Sequence, residues 1–306
     1  MPFLAINYPS WISPEIIPGL PIRWYGLMYI FAFATAYFVY RRQVKERRFP
    51  MSEDSLTSLF FWGITGLLLG ARLFSTLIYH GDSTYWLKPW LIFWPFNEYG
   101  QFTGLQGMSY HGGAFGGLLA VILFAKIKKF NFREIGDMFA AAIPLGFTFG
   151  RLGNFFNAEL YGRATTVPWG MIFPDAGNFA RHPSQLYQAF FEGIVLWFII
   201  WFFRNRKPFK GFLVGLYFLG YGLIRFIIEY FREPDAHLGF PLFNFTTGQI
   251  LCVFMILFGI IWLIITSRLP DREPVRVYSE EEQKQAEMED AAKERNKRRK
   301  LRKKLK

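Results

Sequence analysis

The sequence predicts an all-α integral membrane protein with seven transmembrane helices, the N-terminus outside and the C-terminus cytoplasmic, and interfacial or re-entrant segments on the outer side. Three observations lead there. The chain is 52% hydrophobic and 20% aromatic, and Trp and Tyr concentrate where helices meet the membrane–water interface. Its apolar residues fall into runs of about 20, the length that crosses a bilayer as a helix. Clusters of Lys and Arg follow every second run, and cytoplasmic loops are the ones that carry such an excess.

The first run covers about 22–40 and is closed by Arg41, Arg42, Lys45, Arg47 and Arg48. The second, 56–79, follows a cap-like Ser52-Glu53-Asp54-Ser55 and holds Arg72 within it. Residues 80–110 are too apolar for an aqueous loop and too broken by Gly and Pro for a span, so an interfacial or re-entrant segment is expected. The third run begins at His111-Gly112-Gly113 and ends at Lys126, Lys128 and Lys129. The fourth is 135–156, and a mixed loop, 157–181, leads to the fifth, 186–203. There Ser184 is the expected cap, with Pro183 in a helix-start position. Arg204, Arg206, Lys207 and Lys210 close that run, and 212–231 and 245–265 complete the set. A membrane domain, 1–268, and a charged cytoplasmic tail, 269–306, result. The tail passes from acidic to basic and reads either as a charged helix or as a disordered arm that touches anionic lipid heads.

The net charge of +12 is segregated by this topology, which argues against nucleic acid as a partner; no aromatic residue interleaves the basic end of the tail. The single cysteine, Cys252, excludes an internal disulfide framework and a cysteine-rich metal site. Flanked by Leu251 and Val253, it reads as a small buried apolar residue. The first 20 residues lack a basic leader and contain Pro2, Pro9, Pro14 and Pro18, so a cleaved signal peptide is not expected. Neither a metal nor a cofactor is expected.

Against this background Gly150 to Arg163 is out of place. It continues an apolar run, yet carries Arg151, Asn154, Asn157 and Glu159. An ionised side chain at mid-membrane costs about 2.5–3.5 kcal/mol on insertion scales, so such groups face protein or a wet cavity. Outside the cytoplasmic clusters the basic residues are Arg23, Arg72, Lys88, Arg151, Arg163, Arg181, Arg225 and Arg232. All but one are arginine, whose planar fork fits phosphate or carboxylate, so an anionic head group is the expected ligand. In the sixth run Tyr221, Arg225, Glu229 and Arg232 share one helical stripe; Arg225 and Glu229 could also simply neutralise each other. His111, beside two glycines at a helix start, is either a general base or a structural hydrogen-bond donor.

The run Gly150-Arg151-x-Gly153-Asn154-Phe155-x-Asn157-x-Glu159-x-x-Gly162 resembles the signature of bacterial prolipoprotein diacylglyceryl transferases. The blocks 23–29, Tyr110-His111-Gly112-Gly113, Arg181 to Tyr187 and Arg225 to Asp235 are similar to the family's other blocks, in order. Ala158 stands where a glycine is common, and Gln188 where a glutamate is. The resemblance implies an enzyme of the bacterial inner membrane, with its site towards the periplasmic side. Its expected partners are phosphatidylglycerol, membrane lipids and the signal peptide of a prolipoprotein with a lipobox cysteine. The diacylglyceryl group would pass to that thiol as a thioether, releasing glycerol phosphate, the first step of lipoprotein maturation.

On this reading His111 takes or orients the thiol proton, while Arg151 and Arg225 clamp the phosphate. Tyr25, Asn154 and Tyr221 bond the glycerol and ester oxygens, and Gly162 lies in the substrate site. Glu159 and Glu229 hold the arginines, and Arg232 serves a second lipid or the product. The competing readings are a lipid or small-anion transporter with an arginine-lined outer cavity, and an intramembrane protease. The first would predict internal symmetry, which is not apparent; the second lacks a Gly-x-Ser-x-Gly motif and an intramembrane aspartate pair.

Overall fold

The computed structural model describes residues 5–17, 22–79, 84–96, 99–102, 107–233 and 245–270, with isolated positions between 281 and 295. His80, Pro234, Asp235 and the course of the tail lie outside the described residues. Among the described residues four helices are long and apolar enough to cross a membrane: Glu53–Tyr79, Tyr110–Ile127, Ser184–Phe203 and Thr247–Ser267. The chain forms two compact units, Pro50–Ile135 and the remainder.

In the smaller unit, α2 (Glu53–Tyr79) packs along α3 (Tyr110–Ile127). Ser52 caps α2 by accepting from the Ser55 amide at 3.2 Å, as its sequence suggested. The two helices meet backbone to backbone. A methyl on Gly66 would stand 2.6 Å from the Gly116 carbonyl oxygen, and one on Gly70 would stand 2.9 Å from Gly116 Cα. Small residues give lipid-embedded helices this close approach, where packing rather than hydrophobicity drives association. Arg72 is buried; its Nε donates to the Ile92 carbonyl and its Nη1 to that of Gly107 at 3.3 Å. It therefore ties down the connection between α2 and α3. That connection holds a short helix, Thr84–Leu87, and a 3-10 turn, Pro89–Phe93, with Trp86, Trp90 and Trp94 exposed. This is the broken aromatic segment that its composition predicted.

The larger unit holds α1 (Trp24–Glu46), most of α4 (Phe132–Ala140), α5 (Ile143–Phe156), α6 (Ser184–Phe203), α7 (Phe212–Ile228) and α8 (Thr247–Ser267). The fourth run is not one helix, contrary to expectation. Pro144 has no N–H, and its ring would clash with the carbonyl four residues back, so the chain breaks at Ala141 and Ala142. Asp137, just before the break, is fully buried. Its carboxylate accepts from Lys207 Nζ at 2.7 Å and from the amides of Gly211, Leu213 and Val214 at 2.9, 2.9 and 3.2 Å. It thus caps α7 from a distant part of the chain and satisfies amides a helix start leaves unpaired.

Two further expectations are corrected. Ser184 does not cap α6; the cap position is Pro183, and Ser184 Oγ donates to the Leu160 carbonyl at 3.0 Å. Arg232 does not lie on the helix of Tyr221 and Arg225, because α7 ends at Ile228 and Arg232 forms a β-bridge with Gly162. Within α6, Gln188–Val195 is a π-helical segment, a distortion often found at functional sites. The loop after α5 is anchored by a parallel pairing of β1 (Ile6–Asn7) with β2 (Met171–Ile172). Tyr8, Phe155, Met171 and Phe173 form a small core beneath it.

Candidate active site

Arg151 and Asn154 sit three residues apart on the last turns of α5, hence on one face. Arg151 Nη1 donates to Asn154 Oδ1 at 3.2 Å, and Asn154 Nδ2 donates to Glu159 Oε1 at 2.7 Å. The backbone makes this return possible. Ala158 adopts φ of 52°, and the Glu159 amide bonds the Asn154 carbonyl at 3.1 Å, so the chain folds back over the helix end. Helices commonly end with a left-handed residue that is usually glycine. That is a physical reason for a glycine to be common where this chain has Ala158.

From α7, Arg225 Nη2 lies 2.7 Å from Glu229 Oε2, and Arg225 Nη1 lies 3.4 Å from Glu192 Oε1. Glu229 Oε1 also accepts from Thr246 Oγ1, the cap of α8, at 3.2 Å, and Arg232 Nη1 approaches that same oxygen at 3.8 Å. Arg225 and Glu229 do neutralise each other, but inside a larger network.

Glu192 was missed by sequence reasoning. It is fully buried on the π-helical segment, accepts a hydrogen bond from Tyr221, and lies within electrostatic reach of both Arg151 and Arg225. Arg225 of α7 thus pairs with this carboxylate, and the charge of Arg151 of α5 also acts on it. The signal was present: Glu192 is the one acid within the apolar run 186–203. Phe147 joins the two sides, its ring 4.6 Å from Arg151 Cζ and edge-on to Tyr221 at 5.8 Å. Tyr25, on α1, shares a hydrogen bond with Tyr29 at 3.1 Å and feels the charges of Glu159 and Arg151. Gly153 makes room for it, since a methyl there would stand 3.1 Å from the Tyr25 ring.

The exceptional cations now separate by role. Arg72 binds backbone in its own unit. Arg163 Nε donates to the Arg232 carbonyl at 2.8 Å. Arg181 donates to the carbonyls of Ala176 and Gly162 and pairs with Glu233 at 3.0 Å. Gly162 is a backbone junction: its amide bonds the His182 carbonyl at 2.8 Å, and a methyl there would stand 2.8 Å from that same oxygen. These groups fasten the loop after α5 to the end of α7. His182 lies beside them, its Nδ1 3.1 Å from Tyr187 Oη, and burial pushes its pKa below the ordinary histidine value.

His111 belongs to the smaller unit. It is exposed in the first turn of α3, where Ser109 caps the Gly112 amide at 3.0 Å. Its Nδ1 shares a hydrogen bond with Tyr79 Oη at 3.1 Å.

A family model described as prolipoprotein diacylglyceryl transferase matches residues 13–265. The chain belongs to that family. A relative from Treponema denticola, named phosphatidylglycerol–prolipoprotein diacylglyceryl transferase, is 51% identical over 320 residues, covering 86% of this chain and 94% of its own. Identically named relatives are 46% identical: that from Treponema pallidum covers 89% of this chain and 98% of its own, and that from Chlorobaculum tepidum 83% and 90%. Membership of this transferase family agrees with the membrane-spanning helices. The matched region contains every residue of the Arg151, Glu192 and Arg225 network.

Proposed function

We propose that the chain transfers the sn-1,2-diacylglyceryl group of phosphatidylglycerol to the lipobox cysteine of a prolipoprotein, the reaction for which its relatives are named. The observation that carries this reading is the pairing of Arg225 with Glu192, on which the charge of Arg151 also acts, within a chain matched to the family over residues 13–265.

In this reaction a sulfur–carbon bond forms at the glyceryl carbon as the bond from that carbon to the phosphate oxygen breaks. The lipid phosphate begins as a singly charged diester and leaves as glycerol phosphate, which carries up to two charges. Fixed positive charge aimed at the leaving oxygens therefore stabilises the transition state more than the bound lipid. Arg151 and Arg225 supply it. Arg151 is the more available, because it is only half-buried whereas Arg225 is buried. Arg225 is held by Glu192 and Glu229, which fix the guanidinium and keep the site near neutrality. Neutrality lowers the cost of keeping three arginines at this depth. Tyr25, Asn154 and Tyr221 bond the glycerol and ester oxygens, and Arg232 serves the departing product or a second lipid. Gly162 contributes by holding the backbone of the loop.

His111 accepts or orients the proton of the incoming thiol. When Nδ1–H donates to Tyr79, Nε2 presents a lone pair for that proton. The remaining crossings of the seven-span topology come from α1, the α4–α5 pair and α7. The basic clusters support a network on the outer side of the cytoplasmic membrane and a cytoplasmic position for residues 269–306.

The test is direct. Purified protein is mixed with phosphatidylglycerol and a lipobox peptide, and the peptide is weighed by mass spectrometry. A gain of one diacylglycerol unit is expected. An unchanged peptide, under conditions in which a relative transfers, defeats the reading.

A further inference from the structure

At the C-terminal end of α6, beyond Glu192 on the same helix, Phe198, Trp201, Phe202, Arg204, Asn205 and Arg206 line an open cleft of about 540 Å³. Its chemistry is divided. Phe198 and Phe202 are exposed, giving an apolar wall that continues the face of a membrane-spanning helix. The other wall is cationic. Arg204 Cζ stacks 3.7 Å from the Trp201 ring centre, Arg206 Cζ 4.0 Å from that of Phe202, and Arg42 of α1 approaches Trp201 at 5.5 Å. Among the described residues Glu46 pairs with this cluster, with Arg42 at 2.7 Å and with Arg204 at 3.4 Å. Arg47 adds a fourth positive group, donating to the Arg204 carbonyl at 3.0 Å.

A helix C-terminus ordinarily repels anions through its unpaired carbonyls. Here Arg204 Nη1 and Arg206 Nη1 cover the carbonyls of Trp201 and Phe202, both at 2.9 Å. The positive charge is left in surplus, and burial together with Arg42 and Arg206 lowers the pKa of Arg204, with Glu46 alone opposing them. Such a cluster gains from an anion, and stacked guanidinium forks suit phosphate oxygens.

We propose that this cleft binds an anionic phospholipid, its phosphate on Arg42, Arg204 and Arg206 and an acyl chain along Phe198 and Phe202. The site is separate from the transfer chemistry and rests only on α6 spanning the membrane.

The experiment uses the full chain in phosphatidylcholine vesicles containing a trace of photoactivatable phosphatidic acid, with labelled peptides mapped by mass spectrometry. Labelling of the peptide holding Phe198 to Phe202 is expected to exceed that by a phosphatidylcholine probe severalfold. R42Q/R206Q should reduce it by about fivefold per guanidinium removed, whereas K128Q/K129Q, which removes equal charge after α3, should not. Equal labelling by the zwitterionic probe, no change in R42Q/R206Q, or an equal loss in K128Q/K129Q overturns the proposal. Peptide transfer by the same preparations reports folding. If R42Q/R206Q loses transfer, R206Q alone decides, since that side chain is exposed. Specific labelling by a chain that transfers nothing would leave this proposal standing and defeat the functional reading instead.

Discussion

Arg225 Nη2 and Glu229 Oε2 stand 2.7 Å apart, one turn from each other on α7, and both side chains are buried. The spacing alone allowed an ordinary neutralising pair. What changes its meaning is that Glu192, from α6, reaches the same guanidinium. A fork held at two edges cannot rotate away as a phosphate arrives.

Arg225→Lys keeps the charge and loses the fork. Turnover in the peptide-transfer assay is expected to fall about 10²–10³-fold, the usual loss when a preorganised donor to developing charge is removed. Wild-type turnover would end the clamp assignment for Arg225.

Glu192→Gln keeps the contact to Tyr221 and removes the charge. Losing one partner of a buried ion pair costs about 3–5 kcal/mol, and glutamine should fall near the lower end because it still accepts a hydrogen bond. A lower melting temperature and slower transfer are expected together. A variant that melts and turns over like the wild type would show that Glu192 neither holds Arg225 nor stabilises α6 against α7.

His111→Gln separates the base from the hydrogen-bond donor. A base predicts that the variant loses about 10²–10⁴-fold in rate and that its residual activity depends on pH differently from that of the wild type. Unaltered activity and an unaltered pH profile in the variant would leave His111 a structural role.

His182 gives a stability signature. Burial lowers its pKa in the folded chain, so between the folded and unfolded values the unfolded state binds more protons, and stability rises with pH there. The stabilisation is present above the unfolded value of about 6.5 and is lost as pH falls through the folded value. His182→Gln should flatten this acid-side loss in thermal melts. An unchanged slope would mean that His182 does not contribute to it.

Ala158→Gly relieves the left-handed residue after α5. The strain is about 1–2 kcal/mol, offset by roughly 0.5–1 kcal/mol of extra chain entropy for glycine, so a net gain of up to about 1 kcal/mol is expected. Transfer activity should be unchanged. A clear drop in melting temperature would show that the Ala158 methyl, which packs on the Tyr8 core, outweighs the backbone strain.

The apolar runs were legible because burial in lipid needs length and apolarity, and both are local. The run 135–156 reads as one continuous helix although Pro144 is visible, because only packing shows whether a proline bends a helix or ends it. Among the arginines, residue type pointed to anions in general. Arg72 and Arg163 bind backbone carbonyls, and Arg181 binds them beside its pair with Glu233; no local pattern reports which carbonyls a fold leaves unpaired.

The sequence by itself determined a helical membrane chain, its family, and the residue types that meet a phosphate, since hydropathy, charge bias and short motifs are properties of neighbouring residues. The tertiary structure decided which of those residues meet. It placed Glu192 beneath Arg225, returned Glu159 to Asn154 through a left-handed Ala158, and set Asp137 on the start of α7. Each of those contacts joins segments distant in sequence or depends on a backbone turn, and the three-dimensional path of the chain fixes both.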